Sequence, residues 1–233
     1  MKKYKRHRYP AEIIKYTVML YYRFCLSLRD VSEILLYRGI DVSHETIREW
    51  SNKFGPIFAQ NIDKKRSWCP GDKWHMDEVR IVMNGEVYWL WRAIDSDNNE
   101  LDILLQKRRN TKAAKRFFKK ILKKYGFTPR VMITDKLRSY KAARKSILKS
   151  VDHRSHKRLN NRIENSHEIT RLRERQMRKF KPPGGAQKFL SISGQLLNLL
   201  KVPRFKYEAS VYRGKLKDAF ACYNSADQYP LCA

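Results

Sequence analysis

The chain has 233 residues, of which 51 are Lys or Arg and 23 are Asp or Glu, giving a formal net charge of +28 at pH 7. Its length suffices for one ordinary domain and a smaller one, and 42% hydrophobic residues can fill their cores, which excludes a disordered basic tail. No apolar run approaches the roughly 18 residues of a membrane-spanning helix, and no signal-peptide core follows the basic N-terminus. We therefore expect a soluble cytoplasmic protein with a polyanionic partner and no membrane partner.

Three helical patterns follow one another in the first 60 residues. They run from Pro10 to Phe24, from Leu28 to Tyr37 and from about His44 to Phe54. Ser27 is suited to cap the second helix, and Gly39 is suited to the turn before the third. Two short helices joined by such a turn predict a helix-turn-helix, whose later helix enters a DNA major groove. The candidate DNA contacts on the free face of that helix are His44, Thr46, Arg48, Ser51 and Lys53.

The periodicity changes from helical to strand-like after a polar stretch at residues 61–72, which we interpret as a linker. Three short runs rich in Val, Ile, Tyr and Trp follow, from Trp74 to Met83, from Glu86 to Ile94 and from Leu101 to Gln106. The dipeptide Asn84-Gly85 is typical of a hairpin turn between the first two runs. Together these runs predict an antiparallel three-strand meander.

An amphipathic helix from Thr111 to Tyr125 comes next, with an apolar stripe opposite a face that is dense in Lys and Arg. This cationic face includes Lys112 and Lys119, which we predict to contact DNA phosphates. The apolar run from Val131 to Thr134 predicts a short buried strand. Further helices are expected near residues 140–148, 160–177 and 186–200.

The order of these elements predicts a mixed α+β architecture, in which a mixed sheet opened by a meander is covered by helices, as in the ribonuclease H-like nucleases. The predicted domains are a helix-turn-helix domain at 1–60, the linker at 61–72, a ribonuclease H-like catalytic domain at 73–202 and a C-terminal tail at 203–233. A fold of this class hosts many activities, so the chemistry has to be inferred from the residues themselves.

Two aspartates occupy positions in the predicted sheet that suit metal binding. Asp135 directly follows the short strand, at the end where such sheets gather ligands, and Asp77 lies within the first strand. With a glutamate from a later helix, either Glu164 or Glu168, they would hold one or two Mg²⁺ ions for an in-line displacement at phosphorus. Each acid also has an ordinary structural interpretation, as a solvated strand end, a helix cap or an exposed helix position.

Seven short segments form a pattern that is more specific than three separate acids. In chain order they are Leu28-Arg29-Asp30-Val31, Val42-Ser43-His44-Glu45-Thr46-Ile47, Trp74-His75-Met76-Asp77-Glu78, Arg92-Ala93-Ile94-Asp95, Arg108-Arg109-Asn110-Thr111-Lys112-Ala113-Ala114, Thr134-Asp135-Lys136 and Asn160-Asn161-Arg162-Ile163-Glu164-Asn165-Ser166-His167. Across most of residues 10–200 the chain thereby resembles the insertion-sequence transposases of the IS-six group, which belong to the wider class with a DDE catalytic triad.

The resemblance implies a catalytic triad of Asp77, Asp135 and Glu164, with Arg171 placed to contact a phosphate near the cleaved bond. It implies Mg²⁺ or Mn²⁺ as the cofactor, as a pair of ions held by the three carboxylates. The implied partner is double-stranded DNA, which the enzyme cuts at the terminal inverted repeats of its element before it joins the exposed 3′-hydroxyls to target DNA. The resemblance also implies a homodimer or larger assembly in the nucleoid of a bacterium.

Two other functions fit parts of the sequence. In the first, the chain is a DNA-binding regulator whose helix-turn-helix carries the function. A three-helix bundle that does not bind DNA would show the same helical patterns, but the positive charge of the chain favours DNA binding. In the second, it is a ribonuclease H-like nuclease that hydrolyses nucleic acid without joining strands, because both reactions use the same metal chemistry.

Overall fold

The computed structural model describes residues 4–65, 69–155, 160–203 and 206–226, without the side chains of residues 161, 162 and 165. The chain divides into two compact units, one comprising Met1–Ser67 with Ile192–Ala233 and the other comprising Trp68–Ser191. No helix among the described residues is long and apolar enough to cross a membrane. The predicted combination of an N-terminal helical region and a mixed sheet is confirmed.

The first unit contains the three predicted N-terminal helices, α1 (Ala11–Arg23), α2 (Leu28–Tyr37) and α3 (His44–Lys65). Ser27 caps α2 through a capping box with Asp30, in which each side chain accepts a hydrogen bond from the other residue's backbone N–H. The three helices pack through apolar residues that are fully or almost fully buried, among them Ile14, Val18, Val31, Leu35, Ile47, Trp50 and Phe54.

The predicted end of the third helix at Phe54 is wrong, because α3 continues through Gly55 and Pro56 to Lys65. A proline inside a helix costs roughly 3 kcal/mol. Burial of Phe58 and Ile62, each 1% exposed, contributes about 1.5–3 kcal/mol apiece and offsets that cost. Residues 61–65, which the sequence assigns to a linker, are therefore the last turn of a buried helix.

The C-terminal segment assigned to a tail contains a further helix, α8 (Ala209–Asn224), which belongs to the first unit. The Tyr223 hydroxyl donates a hydrogen bond of 2.8 Å to the backbone oxygen of Lys15 in α1. The Asn61 side chain of α3 donates one of 2.6 Å to the backbone oxygen of Ala226. The predicted boundaries at 1–60 and 203–233 therefore separate segments that pack together.

We expect opposite stability effects from the same substitution at two helical glycines of this unit. A Cβ on Gly55 would lie 2.7 Å from the Tyr22 ring, which is buried and hydrogen-bonded to the Ser51 carbonyl, so Gly55→Ala overpacks the core. A Cβ on Gly214 in α8 meets no atom within 4 Å. Gly55→Ala should lower the free energy of unfolding by about 1 kcal/mol, and Gly214→Ala should raise it by about 0.5–1 kcal/mol. Urea denaturation measures both, and shifts in the same direction would contradict this packing.

The second unit is built on a five-stranded mixed sheet with the strand order β3-β2-β1-β4-β5. Three predicted strands form the antiparallel meander, β1 (Lys73–Met83), β2 (Glu86–Asp95) and β3 (Glu100–Gln106). The predicted β4 (Val131–Thr134) lies parallel to β1, and β5 (Asp152–Arg154) lies parallel to β4. The strand β5 was not predicted because its three residues, Asp-His-Arg, have no apolar pattern.

Helices cover both faces of this sheet. On one face, α4 (Thr111–Tyr125) and α5 (Arg138–Ile147) pack against the strands in a core that includes Trp74, Trp91 and Phe117. On the other face lies α6 (Asn161–Gln176), whose side chains contact β1 and β2. The chain then enters α7 (Pro183–Leu200), within which the division between the two units falls.

Candidate active site

Strand pairing brings the two predicted aspartates together. In the parallel pair of β1 and β4, Met76 is the register partner of Thr134. Asp77 and Asp135 are the next residues on the two strands, so they lie side by side where the pairing ends. One oxygen each from Asp77, Asp135 and Glu78 lie within 4.8 Å of one another, and this is the one cluster of potential metal ligands within the described part of the chain.

Glu78 is a member of this cluster to which sequence analysis gave no role. Its side chain is fully buried, and it accepts a hydrogen bond from Nε of Arg109 in the segment before α4. The same guanidinium donates a hydrogen bond of 3.1 Å to Oδ2 of Asp135. Arg109 therefore ties Glu78 and Asp135 together. Glu78 and Arg109 both lie in the segments that carry the family resemblance, and this resemblance was the signal by which the sequence could have indicated their role.

The electrostatics of the cluster favour a bound cation. Burial and, to a smaller extent, the negative charge of Asp135 raise the pKa of Glu78 to about 7, although Tyr140 and Arg109 oppose the shift. Burial also raises the pKa of Asp135, and the charge of Asp77 adds to the effect. A cation beside these groups would relieve the repulsion between the carboxylates.

Helix α6 approaches the cluster through two side chains that contact β1. The Asn160 amide donates a hydrogen bond of 3.1 Å to the Met76 carbonyl, and Nε2 of His167 lies 3.1 Å from Oδ2 of Asp77. Asn160 and His167 are nearly two helical turns apart and so lie on the same side of α6.

The predicted third acid, Glu164, lies between these two contacts in the first turn of α6. At about 100° per residue, Glu164 is rotated by about 60° from His167, whereas Glu168 is rotated by about 100°. Glu164 is exposed and its carboxylate is not in the cluster formed by the other acids. Of the two candidate glutamates, Glu164 is nearer to the side of α6 that contacts Asp77.

The other predicted residues of the second unit are exposed cations. Lys112 and Lys119 lie on the outer face of α4. Arg171 lies two turns after Glu164 on α6, where it forms an ion pair of 2.9 Å with Glu174. All three side chains are thus accessible to phosphate, and none contacts the acidic cluster in the described residues.

Four of the five predicted contacts of the helix-turn-helix lie at the accessible surface of α3. His44 and Arg48 both contact Glu45, at 3.4 and 2.9 Å. The Thr46 hydroxyl lies 3.0 Å from that of Ser43, whose Oγ also accepts a hydrogen bond from the Thr46 backbone N–H and so caps α3. The fourth, Lys53, is exposed, with Nζ 3.0 Å from the His7 ring.

Ser51 was wrongly predicted as a DNA contact. It is 2% exposed, and its backbone carbonyl accepts a hydrogen bond from the Tyr22 hydroxyl of α1. Ser51 lies one turn after Ile47 and one turn before Gly55, so it belongs to the buried stripe of α3. Its side chain is therefore not accessible to DNA.

The donor chemistry of the acidic cluster fits a hard divalent ion. All its candidate ligands are carboxylate oxygens, which Mg²⁺ and Mn²⁺ prefer to nitrogen or sulfur donors. Arg109 already places one positive charge between two of these carboxylates.

Comparisons with known proteins found a matching family model and similar relatives. Residues 71–202 match the family model of the DDE domain of IS240-type transposases. The chain is 36% identical over 179 residues to the transposase for insertion sequence-like element IS431mec of Staphylococcus aureus, covering 75% of this chain and 79% of the relative. The transposase for insertion sequence element IS257 in transposon Tn4003 of Staphylococcus aureus matches to the same extent.

Among solved structures, the chain is similar to the HTLV-2 integrase catalytic core domain in complex with magnesium. It is 15% identical, with a TM-score of 0.43, and the match covers 60% of this chain and 93% of that chain.

Proposed function

Because this chain belongs to the DDE transposases of the IS-six group, we propose that it cuts DNA at the terminal inverted repeats of its element and joins the exposed 3′-hydroxyls to target DNA. The observation that carries this proposal is the pairing of β1 with β4, which sets Asp77 beside Asp135 at the end of the paired region. Neither the regulator nor the nuclease interpretation is favoured by the relatives above or by the described residues.

The family depends on divalent metal, and we propose that Asp77, Asp135 and Glu164 hold two Mg²⁺ or Mn²⁺ ions. Such ions activate the attacking oxygen and stabilise the leaving oxygen in an in-line displacement at phosphorus. Asp77 lies on β1 and Asp135 directly follows β4, so the pairing of the two strands sets these aspartates beside one another. Glu164 lies on the helix whose His167 already contacts Asp77, and this shared helix is the reason for assigning Glu164 as the third ligand.

The neighbouring residues hold these ligands in place. His167 orients the Asp77 carboxylate from α6, and Arg109 orients the Asp135 carboxylate from the other side of the cluster. Arg171 is exposed, and we assign it to a phosphate near the scissile bond. The positive charge of Arg109 partly offsets the repulsion between the Glu78 and Asp135 carboxylates before a cation is bound.

Double-stranded DNA is the proposed partner, with the two units contributing different contacts. On α3, the accessible residues His44, Thr46, Arg48 and Lys53 are assigned to base edges and phosphates of the inverted repeat. On α4, Lys112 and Lys119 are assigned to phosphates. Joining two element ends to one target requires that two sites act together, so we propose a homodimer or larger assembly.

Two single substitutions in the full-length chain should separate recognition from general affinity. Arg48→Ala should reduce the preference for element ends over unrelated DNA by about 5- to 100-fold, because base contacts carry about 1–3 kcal/mol of discrimination each. Lys119→Ala should weaken binding to both DNAs equally and lower the salt dependence by about one phosphate contact. Competition binding at several salt concentrations measures both effects. Loss of end preference in Lys119→Ala, with Arg48→Ala unchanged, would contradict the assignment.

The function itself is tested on a labelled duplex that carries the terminal inverted repeat. The chain should expose a 3′-hydroxyl at the element boundary in Mg²⁺, and it should leave a duplex with a scrambled repeat uncut. Cleavage that ignores the repeat sequence, or that persists in EDTA, would contradict the proposal.

A further inference from the structure

A buried arginine on β2 links the sheet to helix α6. Arg92 is 6% exposed, and it is the register partner of Asp77 across the antiparallel pair of β1 and β2. Register partners in such a pair project to the same face of the sheet, so Arg92 and Asp77 both face α6. Arg92 has no position in the acidic cluster and no role in the chemistry described above.

Arg92 makes two hydrogen bonds and one ion pair. One guanidinium nitrogen, Nη1, donates a hydrogen bond of 2.7 Å to the backbone carbonyl of Ser166, and Nη2 donates one of 2.7 Å to the Thr170 hydroxyl. Nε lies 3.0 Å from Oε2 of Glu100 on β3, with which it forms an ion pair. The two hydrogen bonds therefore hold α6, and Glu100 supplies the negative charge that balances the guanidinium.

A buried ion pair is an inefficient way to stabilise a core. Removing two charges from water costs several kcal/mol per ion, and apolar residues of similar volume often stabilise a protein as well or better. Burial raises the pKa of Glu100, and the positive charge of Arg92 is the main opposing influence. The planar guanidinium offers what an apolar residue does not, since it fixes several acceptors at once with defined geometry.

The two contacts on α6 define how the helix is rotated. Ser166 and Thr170 are four residues apart and lie one above the other on the same side of α6. Glu164 precedes this pair by two residues and His167 lies within it. A rotation of α6 by about 20° would move a group at the helix surface, roughly 5–6 Å from the axis, by about 2 Å. A productive site tolerates only about 0.5 Å.

We propose that Arg92 is a positioning residue for the third carboxylate: by holding Ser166 and Thr170 it sets the rotation of α6, so that Glu164 faces the metal held by Asp77. This inference rests on the proposed function, and it gives Arg92 no contact with DNA or metal. Arg92 affects metal binding by positioning Glu164.

The test measures Mn²⁺ affinity of the full-length chain without DNA, by electron paramagnetic resonance. Thr170→Val keeps the shape of the side chain and removes one acceptor of Arg92. It should weaken Mn²⁺ binding by about 10-fold, the usual lower limit for loss of a residue that orients a ligand. Arg92→Lys should weaken Mn²⁺ binding more than Thr170→Val does, because a single ammonium group replaces the guanidinium that donates to both Ser166 and Thr170. In the end-cleavage assay, both variants should require more Mg²⁺ than the wild type to reach half of their maximal rate. The rate of Thr170→Val should recover at saturating Mg²⁺.

Ile121→Val is the matched control. It removes one methylene from the core of α4 and costs about 0.5–1.5 kcal/mol of stability without touching α6. Its Mn²⁺ affinity should equal that of the wild type. A loss of affinity in Thr170→Val no larger than in Ile121→Val would overturn the proposal.

A double-mutant cycle tests the route through Glu164. In a Glu164→Gln background, Thr170→Val should weaken Mn²⁺ binding no further, because the carboxylate that it positions is already absent. A further loss would overturn the proposal by showing that Arg92 acts on another ligand. Failure of the proposed function is distinguished by Asp77→Asn, which should lose Mn²⁺ binding. If Asp77→Asn binds Mn²⁺ normally, the metal site itself is wrong, and this inference with it.

Discussion

Asp77→Asn and Asp135→Asn should each abolish cleavage and joining while leaving the affinity for element ends close to that of the wild type. The amide keeps the shape of the side chain and loses the charge that holds the metal. Metal ions contribute several kcal/mol of transition-state stabilisation, and each 1.36 kcal/mol is tenfold in rate, so the loss should be about 10³-fold or more. End cleavage measures the rate, and gel mobility measures DNA binding.

The separation of catalysis from binding is the informative part of this result. Removing one negative charge from so cationic a chain does not reduce its attraction for phosphate. Asp102→Asn is a matched control, because Asp102 lies on β3 and forms an ion pair with Lys120 away from the cluster. It should cleave at close to the wild-type rate. If Asp77→Asn or Asp135→Asn cleaves comparably to Asp102→Asn, the aspartates are not metal ligands.

Glu164→Gln should be as inactive as the two aspartate variants, and Glu168→Gln should retain most of its activity. Both residues are exposed acids on α6, so the two substitutions change charge and helix context alike. Only Glu164 lies between Asn160 and His167, the residues through which α6 contacts β1. Rates of end cleavage at saturating Mg²⁺ compare the variants directly.

The same assay decides the role of Glu78, the acid that clusters with Asp77 and Asp135. Glu78→Gln removes the charge that Arg109 neutralises, but Glu78 is fully buried and already paired, so we expect weakened positioning of Asp135 and a loss of about 10- to 100-fold. An inactive Glu78→Gln together with an active Glu164→Gln would identify Glu78 as the third ligand. An inactive Glu168→Gln with an active Glu164→Gln would place the ligand one helical turn later.

Strong periodicity made much of the second unit predictable. The stripe of Thr111–Tyr125 and the apolar run Val131–Thr134 coincide with α4 and β4 to the residue. The meander followed from β-branched and aromatic runs separated by Asn84-Gly85, whose positive φ angles of 49° and 81° suit the hairpin turn. Each of these signals is local, which is why one sequence sufficed.

The errors occurred where tertiary packing overrides local preference. Gly55-Pro56 suggests the end of a helix, but the apolar residues beyond it are buried and carry α3 on to Lys65. Ser51 has a polar side chain that suggests exposure, yet it lies on the buried face of α3. The α8 sequence has little separation of polar and apolar faces, so its packing against the first unit left no clear pattern.

The candidate site likewise contains residues that were predictable from the sequence and residues that were not. Asp77 and Asp135 were predictable because each lies on a recognisable strand, and their proximity follows from the parallel pairing of β1 with β4. The pairing of buried Glu78 with Arg109 and the buried pair of Glu100 with Arg92 were not predictable, because a charged residue near or within a strand normally indicates exposure. Glu164 stays a prediction, since sequence spacing alone does not separate it from Glu168.

The central claim is that the paired aspartates catalyse the joining of DNA strands, and one measurement tests it most directly. A precut element end with a labelled 3′-hydroxyl is incubated with supercoiled plasmid and Mg²⁺, using the wild-type chain and Asp135→Asn. The wild type should transfer the label covalently to the plasmid, and Asp135→Asn should bind the end but transfer none. Label that is released without joining, or joined product formed equally by Asp135→Asn, would contradict the claim.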